Sequence, residues 1–259
     1  MTAPGAVVEE GALPPPAAGA TAMLELERVS VSYGRFRALF DVSLRVRAGG
    51  VTALIGPNGA GKSTIARLAT GLVGASSGRV LVAGEDVTGL RAYEIARRGV
   101  AHVPEGRPVL ASLDVEENLL LYFRSGLGAK DAAEALARAY ERFPRLAERR
   151  RQRAGTLSGG EQRMLALAKV LARPPRLLVV DELSFGLAPR AVDDVYRALG
   201  EVRETGSTLL VVEQHVPRAL SLAEEVVVLQ KGRVVDAGPT ARLAPRLGEI
   251  LGGGGGRRD

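Results

Sequence analysis

Val51-Thr52-Ala53-Leu54-Ile55-Gly56-Pro57-Asn58-Gly59-Ala60-Gly61-Lys62-Ser63-Thr64 runs from a short apolar stretch into a glycine-rich loop, and the helix-like Ile65–Thr70 follows. An uninterrupted apolar run of this length suits a strand buried on both faces of a sheet. The loop fits G-x-x-x-x-G-K-[ST], and a strand before it with a helix after it is the context that pattern needs. Glycines let the backbone curl so that successive N–H groups point inward around phosphate oxygens. Lys62 can then reach β- and γ-phosphates, and the Ser63 hydroxyl can ligate Mg²⁺. The alternative is a chance glycine-rich turn, and the correctly placed strand and helix weigh against it.

A second run points to the same chemistry. Leu177-Leu178-Val179-Val180-Asp181-Glu182 is four apolar residues followed by two acids. A buried strand would deliver both carboxylates to its C-terminal end, where open α/β sheets bind their ligands. Asp181 suits the outer shell of Mg²⁺, and Glu182 suits a general base that polarises an attacking water. Many strands end in acids, so the pattern gains its weight from the loop upstream. Together the two motifs define a P-loop NTPase. A guanine-reading NKxD is absent, because the only asparagines, Asn58 and Asn118, do not precede Lys, and this favours ATP over GTP.

Composition narrows the rest. The chain has 259 residues, with 46% hydrophobic and 25% charged. That is an ordinary globular balance, enough for one or two domains, and it excludes collagen, coiled coil and wholesale disorder. Cysteine is absent, which removes disulfides, thiol catalysis and thiolate metal sites. Basic residues number 35 against 29 acidic, for a formal charge of +6, but only four of the basic residues are Lys. Such Arg-for-Lys usage beside abundant Ala and Gly reads as coding bias. With 4% aromatics and no Trp, the chain is poor material for stacking bases, and no nucleic-acid partner is expected. No uncharged apolar run is long enough to span a bilayer, and the start carries Glu9 and Glu10 where a secretory signal would carry basic residues. The chain is expected in the cytoplasm, reaching a membrane only through a partner.

Residues 1–22, rich in Ala, Pro and Gly, read as a disordered extension. Order is expected from Met23. Leu24, Leu26, Val29, Val31 and Tyr33, then Phe40, Val42, Leu44 and Val46, have strand patterning. Residues from about Arg91 to Arg173 read as mainly helical, with an amphipathic helix at Asp131–Phe143 stopped or kinked by Pro144. The cluster Arg149, Arg150, Arg151 and Arg153 reads as a solvated surface, with an anion site as the lesser alternative. Further strands are expected at Leu177–Val180, Thr208–Val212 and Val226–Leu229, with a helix at Val192–Glu204 between the first two. The whole is an α/β domain with a largely parallel sheet, into which the helical stretch is inserted. Gly252–Asp259 reads as a flexible tail.

Leu157-Ser158-Gly159-Gly160-Glu161-Gln162 opens a helix-like stretch through Leu171. Ser158 and Glu161 have capping-box spacing. One reading stops at a good helix start. In the other, Gly159 and Gly160 leave that start bare, so its N–H groups and dipole are free to meet a phosphate.

This hexapeptide is identical to the signature of the ATP-binding cassette (ABC) ATPases, and the resemblance extends from Met23 to about Gly252. It implies a RecA-like P-loop NTPase core with an inserted helical subdomain (about 91–173) and an N-terminal antiparallel β subdomain, forming one ATPase domain over 23–251. It also implies that Ser158, Gly159, Gly160 and Glu161 complete the site of the opposite subunit in a head-to-tail dimer. Tyr33, in Val31-Ser32-Tyr33-Gly34, stands where the family stacks an aromatic on adenine; a plain strand aromatic is the alternative. His215, in Val211-Val212-Glu213-Gln214-His215, stands at the switch histidine, which contacts the γ-phosphate and holds Glu182 and water in place. His102 has no such context and reads as structural.

Val103-Pro104-Glu105-Gly106-Arg107, Leu113-Asp114-Val115-Glu116-Glu117-Asn118-Leu119, Arg153-Ala154-Gly155-Thr156 and Ser184-Phe185-Gly186-Leu187-Ala188-Pro189 resemble one branch. That branch is the ATPase of branched-chain (hydrophobic) amino-acid importers, on the side of the pair known as LivF. Three positions depart from wider family patterns. Glu105 replaces the Q-loop Gln, although this branch often has Glu, and can still approach Mg²⁺. Leu183 replaces a Pro after the catalytic Glu, and Ala188 replaces a D-loop Asp, which puts that cross-dimer contact in question. The branch itself often has Asn where His215 follows the wider family.

The resemblance implies ATP and Mg²⁺ as cofactors and a second ABC ATPase as partner, in a homodimer or a LivG-like heterodimer. It further implies transmembrane permease subunits, met near Glu105–Leu113, and indirectly a periplasmic or extracellular solute-binding protein. The chain would then lie peripherally on the inner face of the membrane. The alternatives are a lipid or lipopolysaccharide exporter, a DNA-repair ATPase and a translation factor. DNA-repair relatives interrupt the cassette with a long coiled coil, whereas 95 residues separate Lys62 from Ser158 here. Translation factors carry two cassettes in one chain.

Overall fold

The computed structural model describes residues 21–106, 109–127, 129–184 and 186–252. Nearly all of the expected N-terminal extension and of the expected glycine tail lies outside them, as do Arg107 and Phe185.

Strands β1 (Ala22–Tyr33) and β2 (Phe36–Arg47) form an antiparallel hairpin with Tyr33 opposite Phe36. The fully buried β3 (Val51–Ile55) follows, then the P-loop and α1 (Lys62–Ala69). β4 (Ser77–Val82) and β5 (Glu85–Asp86) return to the hairpin and close a four-stranded sheet of order β2-β1-β4-β5. α2 (Ala92–Arg97) leads to β6 (Val100–Val103). Four helices follow: α3 (Val115–Leu127), α4 (Ala129–Arg142), α5 (Pro144–Glu148) and α6 (Gly159–Ala172). The chain then alternates through β7 (Leu177–Asp181), α7 (Pro189–Glu204), β8 (Thr208–Glu213), α8 (Val216–Leu222) and β9 (Glu225–Gln230). It ends in β10 (Arg233–Pro239), α9 (Thr240–Leu243) and α10 (Leu247–Gly252).

The second sheet has six strands in the order β10-β9-β3-β8-β7-β6, parallel except for the β9–β10 pair. The period of two along its strands divides the apolar residues between two cores. Leu54, Leu177, Val179 and Val212 face α1 and the antiparallel sheet. Ala53, Ile55, Leu178, Val180 and Val211 face α6, α7 and α8. A third core lies within the helical insertion, around Val115, Leu119, Phe123, Ala135 and Leu146. Helix α6 serves two cores, with Leu167 and Val170 against the sheet and Leu165 and Ala168 against the insertion. Pro144 stops α4 and becomes the first residue of α5, where its missing N–H costs nothing.

The stretch 91–173 is not uniformly helical. Val100–Val103 lies within it as the outer parallel strand of the six-stranded sheet, paired with β7. This run is too short for its periodicity to distinguish strand from helix, and pairing with β7 decides the matter. The helices of the insertion therefore begin at Val115. β4, β5 and β10 also became strands only through pairing, β4 between β1 and β5 and β10 along β9.

His102 sits on β6 opposite Val179. Its Nε2 is buried without a hydrogen-bond partner among the described residues. Burial, then the Arg67 charge, pushes its pKa down to about 4 from 6.5. The unfolded chain therefore takes up this proton first, and the stability tied to neutral His102 is complete above pH 6.5 and lost as pH falls toward 4. Asp181, raised to about 6, acts in the opposite sense in part of that range. In urea titrations, the stability difference between wild type and His102→Gln is expected to shift in favour of the mutant as pH falls from 7 to 4.5. A pH-independent difference would show that His102 is not held neutral.

Candidate functional site

The parallel register brings the strand ends together. Ile55 pairs with Glu213, and Asp181 with Val212. The loop after β3, the acids after β7 and the turn after β8 consequently share one C-terminal edge, the position where such sheets bind ligands. Glu105 follows β6 onto the same edge, and its charge is felt at Asp181.

The P-loop lies against β2 and the β9–β10 turn. The Gly232 N–H donates to the Ala60 carbonyl at 2.8 Å, and the Phe40 N–H donates to the Gly232 carbonyl at 2.9 Å. A side chain on Gly56 would run into the Leu229 carbonyl oxygen, so only glycine lets the loop leave β3 this close to β9. Lys62 is 4% exposed. Its Nζ donates to the carbonyls of Gly56 at 3.0 Å and Pro57 at 3.3 Å, and lies 3.5 Å from Glu182 Oε1. A buried ammonium needs such partners to offset its lost hydration. Pro57, Asn58, Gly59, Ala60 and Gly61 complete the loop, and Thr64 is buried in the first turn of α1.

The Ser63 hydroxyl donates to Asp181 Oδ1 at 3.2 Å. Burial raises the Asp181 carboxyl to about 6; the Ser63 hydrogen bond opposes this, while the charges of Glu182 and Glu105 add to it. Asp181 and Glu182 thus stand beside one buried lysine, together with a hydroxyl oxygen, while the exposed Glu105 acts on Asp181 through its charge. Hard oxygen donors with surplus negative charge fit a Mg²⁺ ion, which typically takes one or two protein carboxylates and completes its shell with phosphate and water.

Glu182 has φ 45, left-handed backbone that side-chain-bearing residues avoid. Such a conformation costs about 1–3 kcal/mol and persists where the surroundings hold it. Here the Glu182 N–H donates to the Val212 carbonyl at 2.9 Å, and Leu183 is buried in the sheet core. His215 starts α8 and lines a cavity of about 750 Å³ together with Glu182, Ser184, Glu213 and Leu187.

The signature residues form their own constellation. Ser158 caps α6: its hydroxyl accepts from the Glu161 N–H at 3.3 Å, and the Glu161 carboxylate accepts from the Ser158 N–H at 2.9 Å. Glu161 also pairs with Arg149 Nε at 3.0 Å. Arg151 pairs with Glu116 at 3.2 Å, so the arginine cluster includes specific ion pairs. A Cβ on Gly160 would stand 2.8 Å from that of Ala191, so this glycine also lets α7 approach. Tyr33, at the end of the β1–β2 hairpin, is 41% exposed, leaving its ring open to stack.

Sequence reasoning missed Glu213, Ser184 and Arg163. The one available signal was that Glu213 ends an otherwise apolar strand, as Asp181 does.

An open α/β sheet with a glycine loop, a buried lysine and paired acids on one edge is a P-loop nucleotide-binding cassette. The ABC transporter family model matches residues 39–184, and the chain belongs to that family as an ATP-hydrolysing subunit. It is 42% identical over 236 residues to the high-affinity branched-chain amino acid transport ATP-binding protein BraG of Pseudomonas aeruginosa, covering 90% of this chain and 100% of that one. It is 35% identical to a probable branched-chain amino acid transport ATP-binding protein, LivF, of Archaeoglobus fulgidus, covering 85% and 94%. The crystal structure of an ATP-binding cassette of an ABC transporter in its ADP conformation superposes with a TM-score of 0.75 at 28% identity, covering 87% of this chain and 94% of that one. No helix among the described residues is long and apolar enough to cross a membrane.

Gly56→Ala is expected to destabilise the protein by about 1–3 kcal/mol through overpacking at the β3–β9 contact. Urea denaturation checks this; unchanged stability would mean that the two strands can part without cost.

Proposed function

We propose that this chain energises uptake of branched-chain or other hydrophobic amino acids, as one of two ATPases beneath a pair of permease subunits. The observation that carries the reading is the 42% identity to BraG across the full length of that protein. LivF at 35% points the same way. A solute-binding protein would deliver the substrate outside, and the ATPase would lie against the inner membrane face.

In this reading two cassettes pair head to tail, as a homodimer or with a LivG-like partner. Each ATP is held between the P-loop of one subunit and Ser158, Gly159 and Gly160 of the other. Closure follows because the closed pair binds the γ-phosphate better than the open one. Tyr33 stacks on the adenine. Free backbone N–H groups of the loop and the Lys62 ammonium bind the phosphates, Lys62 exchanging its carbonyl partners for phosphate oxygens. Ser63 and Asp181, with Glu105 beside them, suit Mg²⁺, which when bound neutralises phosphate charge. Glu182 accepts the proton of the attacking water. His215 keeps that water and Glu182 in line. The capping bonds of Glu161 assign it first to shaping the signature helix.

Glu182→Gln keeps the shape of the base but cannot take up a proton. Hydrolysis is expected to fall about 10²–10⁴-fold. ATP binding should survive and an ATP-dependent dimer accumulate, seen by size-exclusion chromatography with Mg-ATP, with and without the partner ATPase. Wild-type turnover would overturn the base assignment. Lys62→Ala is expected to abolish tight ATP binding, because a charge-assisted phosphate contact is lost; near-normal affinity by calorimetry would refute the role of the loop. Deletion of the gene should abolish high-affinity leucine, isoleucine and valine uptake in whole cells. Unaltered uptake of all three would refute the substrate class.

A further inference from the structure

Strand β8 is apolar and fully buried up to Val212, yet it ends in Glu213, which is 1% exposed. A carboxylate at that depth requires donors. Ser184 supplies two: its N–H donates to Glu213 Oε1 at 3.2 Å and its hydroxyl to Oε2 at 2.8 Å. Arg163 on α6 is buried as well; burial lowers its pKa, and the charges of Glu213 and then Glu105 counteract this. Tyr196 on α7 faces the same carboxylate, and burial together with the Glu213 charge drives its phenol pKa upward.

Glu213 therefore stands where three parts of the site meet. Ser184 is two residues past Glu182, and His215 is two residues past Glu213. Arg163 lies one turn beyond Gly159, and its guanidinium donates to the Gly159 carbonyl at 3.3 Å. The turn that bears Glu182 is fastened to β8 at both ends. The Glu182 N–H bonds Val212 at its start, and Ser184 bonds Glu213 at its end. Between these fixings Glu182 holds a left-handed backbone that nothing in its own side chain favours.

Building on the reading of Glu182 as the base, we propose that Glu213 is a positioning residue for hydrolysis. Its carboxylate clamps the strained turn of Glu182 and keeps that base in register with His215. In this role Glu213 acts through Glu182.

The test uses the full-length chain, with ATP affinity measured separately from turnover. Glu213→Ala removes both acceptors. Misplacing a reacting group by about 1 Å costs roughly 10²-fold, so kcat should fall roughly 10–100-fold while ATP affinity stays within about threefold. Glu213→Gln should restore most of the rate, because its amide oxygen accepts from the Ser184 N–H and the Ser184 hydroxyl can turn to accept from the amide. In the Glu182→Gln background, Glu213→Ala should cause little further loss in single-turnover hydrolysis, since a residue acting through the base has nothing left to position.

An unchanged kcat in Glu213→Ala overturns the proposal. So does a loss that recurs in full without Glu182, because it would mark a purely structural role. If Glu213→Ala does not fold, Glu213→Gln combined with Ser184→Ala carries the same cycle by removing the hydroxyl bond and the carboxylate charge together, and its unchanged kcat overturns the proposal. Wild-type turnover by Glu182→Gln alone would instead defeat the base assignment, which keeps the two failures apart.

Discussion

The parallel pairing of β3, β8 and β7 is the constraint on which the site depends. Because Ile55 is level with Glu213 and Asp181 with Val212, the phosphate loop and both acids emerge at one sheet edge. The Ser63–Asp181 hydrogen bond and the Lys62–Glu182 ion pair span 118 and 120 residues of sequence, yet both follow from that register. A shift of one residue in any of these strands would swap the residues facing the two cores and carry the loop or the acids off this edge. The complete burial of all three makes that shift prohibitive.

Around that edge, charge is arranged against a cost. Burial of Asp181, with the charges of Glu182 and Glu105 adding to it, raises that carboxyl to about 6. The buried Lys62 beside Glu182, and the Ser63 hydroxyl and Arg67 charge acting on Asp181, are the local compensation. Such a site is poised for a ligand that brings phosphate oxygens to the lysine and a cation to the carboxylates. The left-handed turn at Glu182 belongs to the same economy, since hydrogen bonds to β8 hold in place a conformation the isolated chain would leave.

Helix α6 joins the two halves of the molecule. One face packs on the sheet and the other on the helical insertion, so the helix that the signature opens touches both. Glu161 caps the helix and pairs with Arg149, and Arg163 reaches from its first turns toward Glu213.

The P-loop, the Asp181–Glu182 pair, the Ser158–Glu161 capping box and the α/β alternation were all legible in the amino-acid sequence. Each is written in consecutive residues, where local chemistry and spacing suffice. The edge strand Val100–Val103, the small strands of the antiparallel sheet and the Glu213–Ser184–Arg163 junction were not. β6 is a strand only because β7 offers it hydrogen bonds. Glu213 looks like any acid at a strand end until the fold brings Ser184 from 29 residues away and Arg163 from another helix. By itself the sequence singled out groups whose chemistry suits a nucleoside triphosphate. Which groups hold those groups still was decided only in the tertiary structure, because burial and pairing between distant segments leave no periodic trace along the chain.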